Sequence, residues 1–356
     1  MITLFLQKYA HIDYLNSITI RAIIAFFISF AICFMLIPYV KRRVIKRKLG
    51  QQIRECGPEG HMYKKGNATM GGIAIVISIT LVSVFFTKLN PKVLISLFAF
   101  VLMAIIGFTD DILKIYRQNA DGMSARLKFI LIIIVSGIIA FLANYFVKDF
   151  GYVNIPIINY RLPGIFLYYF ITIMTITACS NSVNLTDGLD GLASGVLIAV
   201  ITVYSAITYI AGNKIYSEHL EVPYISGAGE LTVVSSAIIG ALIGFLWYNS
   251  FPAEIFMGDV GSLSLGALLG MLAVFTKTEI LLIIIGGIFV IEALSVIIQV
   301  FSFRVRKKKV FKMSPIHHHF ELSGLHESKV VIRFWIISFF MALGGLLLYV
   351  IKVLFR

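Results

Sequence analysis

The chain has 356 residues, of which 59% are hydrophobic and 14% charged, and its mean hydropathy is +0.92. Soluble domains run about 45–50% apolar and about 25% charged, so a cytosolic globular enzyme, a disordered chain and a secreted disulfide scaffold are excluded and a polytopic membrane protein is left. The 31 Lys and Arg exceed the 18 Asp and Glu by 13, an excess that fits basic loops kept on the cytoplasmic side of a bilayer rather than a nucleic-acid surface.

A spanning helix takes about 20 residues. Apolar runs of that order fall at 18–40, 70–87, 93–109, 128–147, 164–182, 191–211, 231–249, 258–276, 279–303 and 331–354. They predict an all-α polytopic membrane protein of about ten transmembrane helices, one integral membrane domain over 1–356. The first run is too long for the apolar core of a cleavable signal and ends in Lys41-Arg42-Arg43. The outer segments 148–163 and 212–230 read as ordinary connections. An even number of spans puts both termini on one side. If the first helix runs inward, 21 of the 31 Lys and Arg fall in 41–69, 111–128 and 304–333. The positive-inside rule then predicts both termini on the periplasmic side. It also predicts cytoplasmic loops at 41–69, 110–128, 183–190, 249–258 and 304–331. Cys33 and Cys179 lie in apolar runs and Cys56 in a basic loop, with no disulfide framework or zinc spacing.

The unusual polar clusters converge on the inner side. Asp110-Asp111 closes the third run, where a carboxylate pair is costly unless hydrated, paired or metal-bound. A solvated helix end accounts for two acids equally well. Adjacent helical residues point about 100° apart, so the two need not act as one chelate. Asn184-Leu-Thr-Asp-Gly-Leu-Asp-Gly191 places Asp187 and Asp190 three apart, on one face if the segment is helical. It reads either as a magnesium- or nucleotide-binding loop or as a helix start capped by Thr186 or Asp187. Asp259, in Phe256-Met-Gly-Asp259-Val-Gly-Ser262, opens the eighth run, where an acid is favoured by the helix dipole. The small residues around it leave room for a bulky anion. Phe256 reads as core or as a base-stacking surface.

Brought together, Asp110, Asp111, Asp187, Asp190 and Asp259 repel unless a cation sits among them. Mg²⁺ prefers oxygen ligands shared with substrate phosphates. The pattern points to phosphoryl transfer, in which positioning and charge neutralisation do most of the work. No Walker A or G-x-G-x-x-G motif accompanies it. His317-His318-His319 follows the basic run 304–312. Without cysteines it does not suggest zinc, and it suits a diphosphate, anionic headgroups or a plain interfacial loop. Lys64 and Lys65, ahead of Thr69-Met-Gly-Gly72, either meet phosphate or serve retention. Glu292, with Gln299 one heptad on, reads as an interhelical hydrogen bond or as a functional intramembrane acid. Gly240-x-x-x-Gly244 and Gly266-x-x-x-Gly270 read as helix packing.

From His61 to Trp335 the chain resembles the phospho-N-acetylmuramoyl-pentapeptide transferase family, the MraY translocases, within the polyprenyl-phosphate N-acetylhexosamine-1-phosphate transferases. The motifs that carry the resemblance are Thr-Met-Gly-Gly at 69–72, Asp-Asp at 110–111 and Ser-Ala-Arg-Leu-Lys-Phe at 124–129. With them stand Asn-Leu-Thr-Asp-Gly-Leu-Asp-Gly-Leu-Ala at 184–193, Phe-Met-Gly-Asp at 256–259 and Pro-Ile-His-His-His-Phe-Glu at 315–321. The resemblance implies ten helices in the bacterial inner membrane, an active site facing the cytoplasm and a homodimer. It implies that undecaprenyl phosphate attacks the β-phosphorus side of UDP-N-acetylmuramoyl-pentapeptide, giving lipid I and UMP with Mg²⁺ required. By position it implies Asp259 as the magnesium ligand and Asp110 and Asp111 as the acidic pair, with Asp110 as base toward the lipid phosphate. It implies Lys64, Thr69, Asn184, Asp187, Asn249 and His319 as the polar lining of the nucleotide and diphosphate site. Lys114, Gly188, Asp190 and Phe256 match the part associated with uracil, and His318 a histidine important to activity.

Two other readings remain open to test. A sister transferase using UDP-N-acetylglucosamine shares the acidic motifs, and the histidine loop favours the muramoyl-pentapeptide donor over it. An ion-coupled transporter would use Glu292 and the inner acids as a relay. Transporters place such sites near the midplane, commonly within internal repeats, whereas these acids sit at one surface and the sequence shows no repeat.

Overall fold

The computed structural model describes residues 16–46, 68–117, 122–147, 151–155 and 160–351. In chain order the elements are α1 (Ile18–Lys46), α2 (Gly72–Phe86), α3 (Pro91–Tyr116), α4 (Ala125–Phe146), strands β1 (Tyr152–Ile155) and β2 (Tyr160–Pro163), α5 (Ile165–Thr186) and α6 (Leu192–Gly212). There follow α7 (Lys214–His219), α8 (Gly229–Asn249), α9 (Gly258–Thr276), α10 (Leu282–Ile285), α11 (Gly287–Arg306), α12 (Ile316–Glu321) and α13 (Glu327–Val350). Each of the ten apolar runs is helical. Among the described residues, nine helices are long and apolar enough to cross a membrane, and α2, of 15 residues, is shorter.

Helix directions show that α2 nevertheless runs back toward the end of the bundle where α1 begins. Arg21 near the start of α1 donates to Phe86 O at the end of α2 and to Glu230 at the start of α8. These three ends therefore share one side. A Cβ on Gly240 would meet Phe26 O, and one on Gly244 would meet Phe30 O, so α1 and α8 run parallel. A chain that reverses direction from each long helix to the next gives that relation when α2 is one of the passes.

The glycine pairs do what small residues do in lipid, letting backbones approach where no hydrophobic effect drives association. Gly240 and Gly244 seat α8 on α1, and Gly266 and Gly270 seat α9 antiparallel on α5, against Cys179, Ser180 and Ile176. With small residues along most of its length, α9 is the central helix. It is buried over 94% of its apolar stretch, against 33% for α1, α11 and α13.

Two departures from the sequence reading have local causes. The run 279–303 breaks at Gly286, between α10 and α11. There α13 crosses so closely that a Cβ on Gly287 would stand 2.0 Å from Met341 Cε. Within segment 148–163, β1 and β2 pair antiparallel, Tyr152 opposite Pro163. The pair lies at the far end of α9, where Lys277 Nζ donates to Tyr152 O at 2.9 Å.

At that same end Arg21 and Glu230 form a buried, bidentate pair, with Nη1 2.6 Å and Nη2 2.7 Å from the two carboxylate oxygens. Lys88 N donates to the same carboxylate at 2.7 Å. Removing one partner leaves a buried, uncompensated charge. Glu230→Ala is expected to cost about 3–5 kcal/mol, measured as a lower thermal midpoint in detergent. The apolar double replacement Arg21→Met with Glu230→Leu is expected to cost less than that single change. An unchanged midpoint for Glu230→Ala would remove the pair from the stability of the bundle.

Candidate functional site

Helices α3, α4, α5 and α9 deliver the polar groups to one place. The last two turns of α3 carry Asp110, Asp111 and Lys114; the first turn of α4 carries Lys128, the last turn of α5 Asn184, and the first turn of α9 Asp259. Ordinary capping sets the ends of two of them. Asn90 Oδ1 accepts from Val93 N ahead of Pro91 in α3, and Ser124 Oγ accepts from Leu127 N in α4.

Asp110, Asp111 and Asp259 are buried, and each offers one oxygen to a cluster in which all lie within 4.8 Å of one another. Such proximity in a membrane bundle requires positive charge. Lys114 Nζ lies 2.8 Å from both Asp110 Oδ2 and Asp259 Oδ2, and 3.5 Å from Asp111 Oδ1. Lys128 Nζ pairs with Asp259 Oδ2 and lies 3.5 Å from Asp110 Oδ2. Asn184 Nδ2 donates to Asp259 Oδ1 at 2.7 Å and to Ser262 Oγ at 2.8 Å. Met123 N donates to Asp110 Oδ1 at 2.6 Å, and Val260 N to Asp111 Oδ2 at 3.2 Å.

Missing side chains permit this closeness. A Cβ on Gly107 would fall 2.1 Å from Asp259 O, and one on Gly72 would fall 2.3 Å from Gly261 N. The Thr-Met-Gly-Gly motif is laid beside α9 by backbone bonds: Phe256 N to Ala68 O at 2.9 Å, Gly71 N to Phe256 O at 2.9 Å and Gly72 N to Met257 O at 2.8 Å. Gly258, at φ +74, has both Thr69 Oγ1 and Asp111 Oδ2 against its open side.

Residues 187–191 form a turn, so Asp187 and Asp190 do not share a helical face. Thr186 is the last residue of α5, and Gly191, at φ 77, opens α6, so neither Thr186 nor Asp187 is the cap of a helix start. Asp187 is half-buried. Burial pushes its carboxyl up to about 7, with Asp259, Asp111 and Asp190 adding repulsion. Asp190 turns away, accepting from Ala253 N at 2.9 Å while its own N–H donates to Glu327 Oε1 at 2.8 Å. Asn249 is a brace: Oδ1 accepts from Gly191 N and Ser194 Oγ, both at 3.2 Å, and Nδ2 donates to Ile255 O at 2.9 Å. Phe256 is half-buried beside the cluster-bearing turn. Lys64, with His61, Lys65 and Cys56, lies outside the described residues.

Of the three histidines, His318 Nδ1 pairs with Glu321 Oε2 at 2.7 Å, and His319 Nδ1 accepts from Lys312 N at 3.2 Å. His317 is the one turned fully inward, its ring against Gly188. Sequence reasoning did not single out Lys128, Ser262 or His317. Lys128 had a legible signal: a cation in the first turn of a helix opposes the dipole and asks for a carboxylate partner. Nothing in three successive histidines tells which one faces inward.

An all-oxygen set of three carboxylates with a neighbouring carboxamide suits a hard divalent cation such as Mg²⁺. Two ammonium groups beside it can meet phosphate oxygens. The arrangement fits the chemistry of a diphosphate at the end of a membrane bundle.

Known proteins with similar sequences point the same way. The profile of glycosyl transferase family 4 matches residues 93–277. The phospho-N-acetylmuramoyl-pentapeptide-transferase of Buchnera aphidicola is 48% identical over 337 residues, covering 92% of this chain and 98% of that protein. Those of Rickettsia prowazekii and Pelobacter propionicus are 47% and 45% identical, each alignment covering 92% of both chains.

Two outcomes test this geometry. Gly107→Ala forces α3 from α9 and is expected to weaken Mn²⁺ binding about tenfold, read by electron paramagnetic resonance. Unchanged affinity would separate the cluster from any metal role. Asp187 retains its proton up to about 7, whereas the unfolded chain releases it near 3.8. Stability of the metal-free protein therefore falls as pH rises through that window. Asp187→Asn is expected to flatten the fall, measured as thermal midpoint against pH, and an unaltered slope would assign it to another group.

Proposed function

The chain belongs to the phospho-N-acetylmuramoyl-pentapeptide-transferases of glycosyl transferase family 4, and from that premise we propose that the acidic cluster is the transfer site. The protein is a multi-pass membrane transferase that performs the first membrane step of peptidoglycan synthesis. Its substrates are a nucleotide–sugar–peptide donor and a lipid carrier within the membrane. In this reading the donor is UDP-N-acetylmuramoyl-pentapeptide and the acceptor undecaprenyl phosphate. An oxygen of the lipid phosphate bonds to the sugar-side phosphorus of the donor. The bond from that phosphorus to the bridging oxygen breaks, UMP leaves with that oxygen, and lipid I remains.

The observation that carries this assignment is the meeting of Asp110, Asp111 and Asp259 within 4.8 Å, with Lys114 and Lys128 in ion-pair range. Phosphoryl transfer needs little covalent help from a protein and much preorganised charge. Asp259, with Asp110 and Asp111, would hold Mg²⁺, which supplies neutralising charge to the diphosphate when bound. Asp110 orients or receives a proton of the lipid phosphate. Lys114 and Lys128 are the nearest cations for the diphosphate oxygens, and Lys64 joins them in this reading. Thr69, Asn184, Asp187, Gly188 and Phe256 face the donor, and Asn249 and Asp190 hold the backbone around it. His318 and His319 belong to the last wall of the site.

The excess of Lys and Arg in the loops at the cluster end supports a site facing the cytoplasm of a bacterial inner membrane, with both termini periplasmic. A homodimer completes the proposal, on family membership.

UMP release by the purified protein tests the reading, with undecaprenyl phosphate, Mg²⁺ and each UDP-sugar supplied separately. Turnover is expected with the muramoyl-pentapeptide donor alone. It is expected to be lost with EDTA, and in Asp259→Asn with an unchanged thermal midpoint. Turnover with UDP-N-acetylglucosamine instead would move the protein to the sister branch. Full activity in Asp259→Asn would defeat the cation assignment.

A further inference from the structure

The segment that carries the three histidines is not free of the bundle. It folds back along α11 and is held there by three side chains of that helix. Ser302 Oγ donates to Lys308 O at 2.9 Å. Gln299 Oε1 accepts from Val310 N and Phe311 N, both at 3.0 Å, and its Nε2 donates to Phe311 O at 2.9 Å. Glu292 Oε2 accepts from Ile316 N at 3.0 Å, and Glu292 Oε1 lies 3.1 Å from His317 Nδ1. From Gln299 to Glu292 the helix descends about 10 Å, so the segment re-enters the bundle by that distance. Non-helical backbone at such depth persists only where protein satisfies its amides, and Glu292 and Gln299 do so.

Glu292 and His317 are both fully buried. Ile316 N–H is an obligate donor, so one carboxylate oxygen is committed to it. The second oxygen faces His317 Nδ1 and requires the proton on that nitrogen. The tautomer and the ring orientation are thereby set, in the manner of a carboxylate that orients a histidine ligand. The other ring nitrogen, Nε2, is buried and has no hydrogen-bond partner among the described residues. It points at Gly188, where a Cβ would stand 2.4 Å from it. That glycine lies between Asp187 and the turn into α6, in the loop that also carries Asn184.

We propose that Glu292 is a positioning residue of the transfer site: its two carboxylate oxygens hold Ile316 N–H and His317 Nδ1–H, so that Nε2 is presented to the 184–191 loop where that loop meets the nucleotide–sugar donor. The proposal rests on the transferase reading given above. It assigns Glu292 neither a proton relay nor contact with substrate. It also explains why a carboxylate serves here and a carboxamide does not. Glutamine offers one accepting oxygen for two donors. Its oxygen must serve Ile316 N–H, its NH₂ then faces Nδ1, and the histidine proton is forced onto Nε2, against Gly188.

The test uses the full-length protein in detergent. Glu292→Gln is expected to raise the KM for the UDP-linked donor about tenfold, with the KM for undecaprenyl phosphate and the thermal midpoint unchanged. Histidine ¹⁵N spectra are expected to show the His317 proton on Nδ1 in the parent and on Nε2 in Glu292→Gln, the signal being identified by its loss in His317→Asn. The double variant is expected to be no worse than His317→Asn alone, because Glu292 acts through that ring. Glu292→Asp keeps both acceptors at shorter reach and is expected to recover much of the donor KM. An unchanged donor KM in Glu292→Gln, an unchanged tautomer, or additive effects of the two substitutions would each overturn the assignment. Absence of UMP formation by the folded parent with every UDP-sugar would instead overturn the transferase reading.

Discussion

Three carboxylates cannot share a few ångströms inside a lipid-embedded bundle unless cations share the same space. The Coulomb cost rises steeply as water is withdrawn. Asp110, Asp111 and Asp259 meet that condition through Lys114 and Lys128, which stand between them from α3 and α4. Asn184 and the amides of Met123 and Val260 satisfy remaining oxygen lone pairs. The rest of the molecule follows from having to build and hold this charged cluster.

Holding the cluster requires backbones closer together than side chains ordinarily allow. Gly107 against Asp259, Gly72 against Gly261, and Gly266 against Cys179 are all contacts a single methyl group would open. They concentrate on α9, which accordingly is the helix buried on every side. At its far end the bundle is closed by a second buried charge pair, Arg21 with Glu230, which ties the ends of α1, α2 and α8 together. The two ionic centres sit at opposite ends of the bundle. One fixes helix ends for stability, and the other gathers groups able to exchange their partners.

The walls of the site are made of non-helical chain whose amides need partners. Asn249 and Asp190 serve the 187–191 and 253–255 backbones, and Glu292, Gln299 and Ser302 serve the histidine segment. Of these, Asn249, Asp190 and Glu292 read as candidate site residues in the sequence because they are polar residues in an apolar setting. In the folded chain most of their hydrogen bonds run to backbone, and Asn249 and Glu292 also meet Ser194 Oγ and His317 Nδ1.

Composition and periodicity determined the ten helices and the convergence of acids at one end, because burial in lipid demands long apolar runs and tolerates charge only at their ends. The x-x-x-spaced glycines likewise declared their packing role, since nothing else explains small residues at that period. Tertiary structure alone decided the rest. Asp187 and Asp190 diverge because their segment is a turn rather than a helix, which three-residue spacing cannot reveal. Lys114 and Lys128 neutralise acids on other elements, and Arg21 finds Glu230 from 209 residues away. One histidine of three turns inward because α11 draws its segment into the bundle. Such partners are chosen by the charge and hydrogen bonds that a folded, water-poor interior must balance, and that balance exists only once the helices have met.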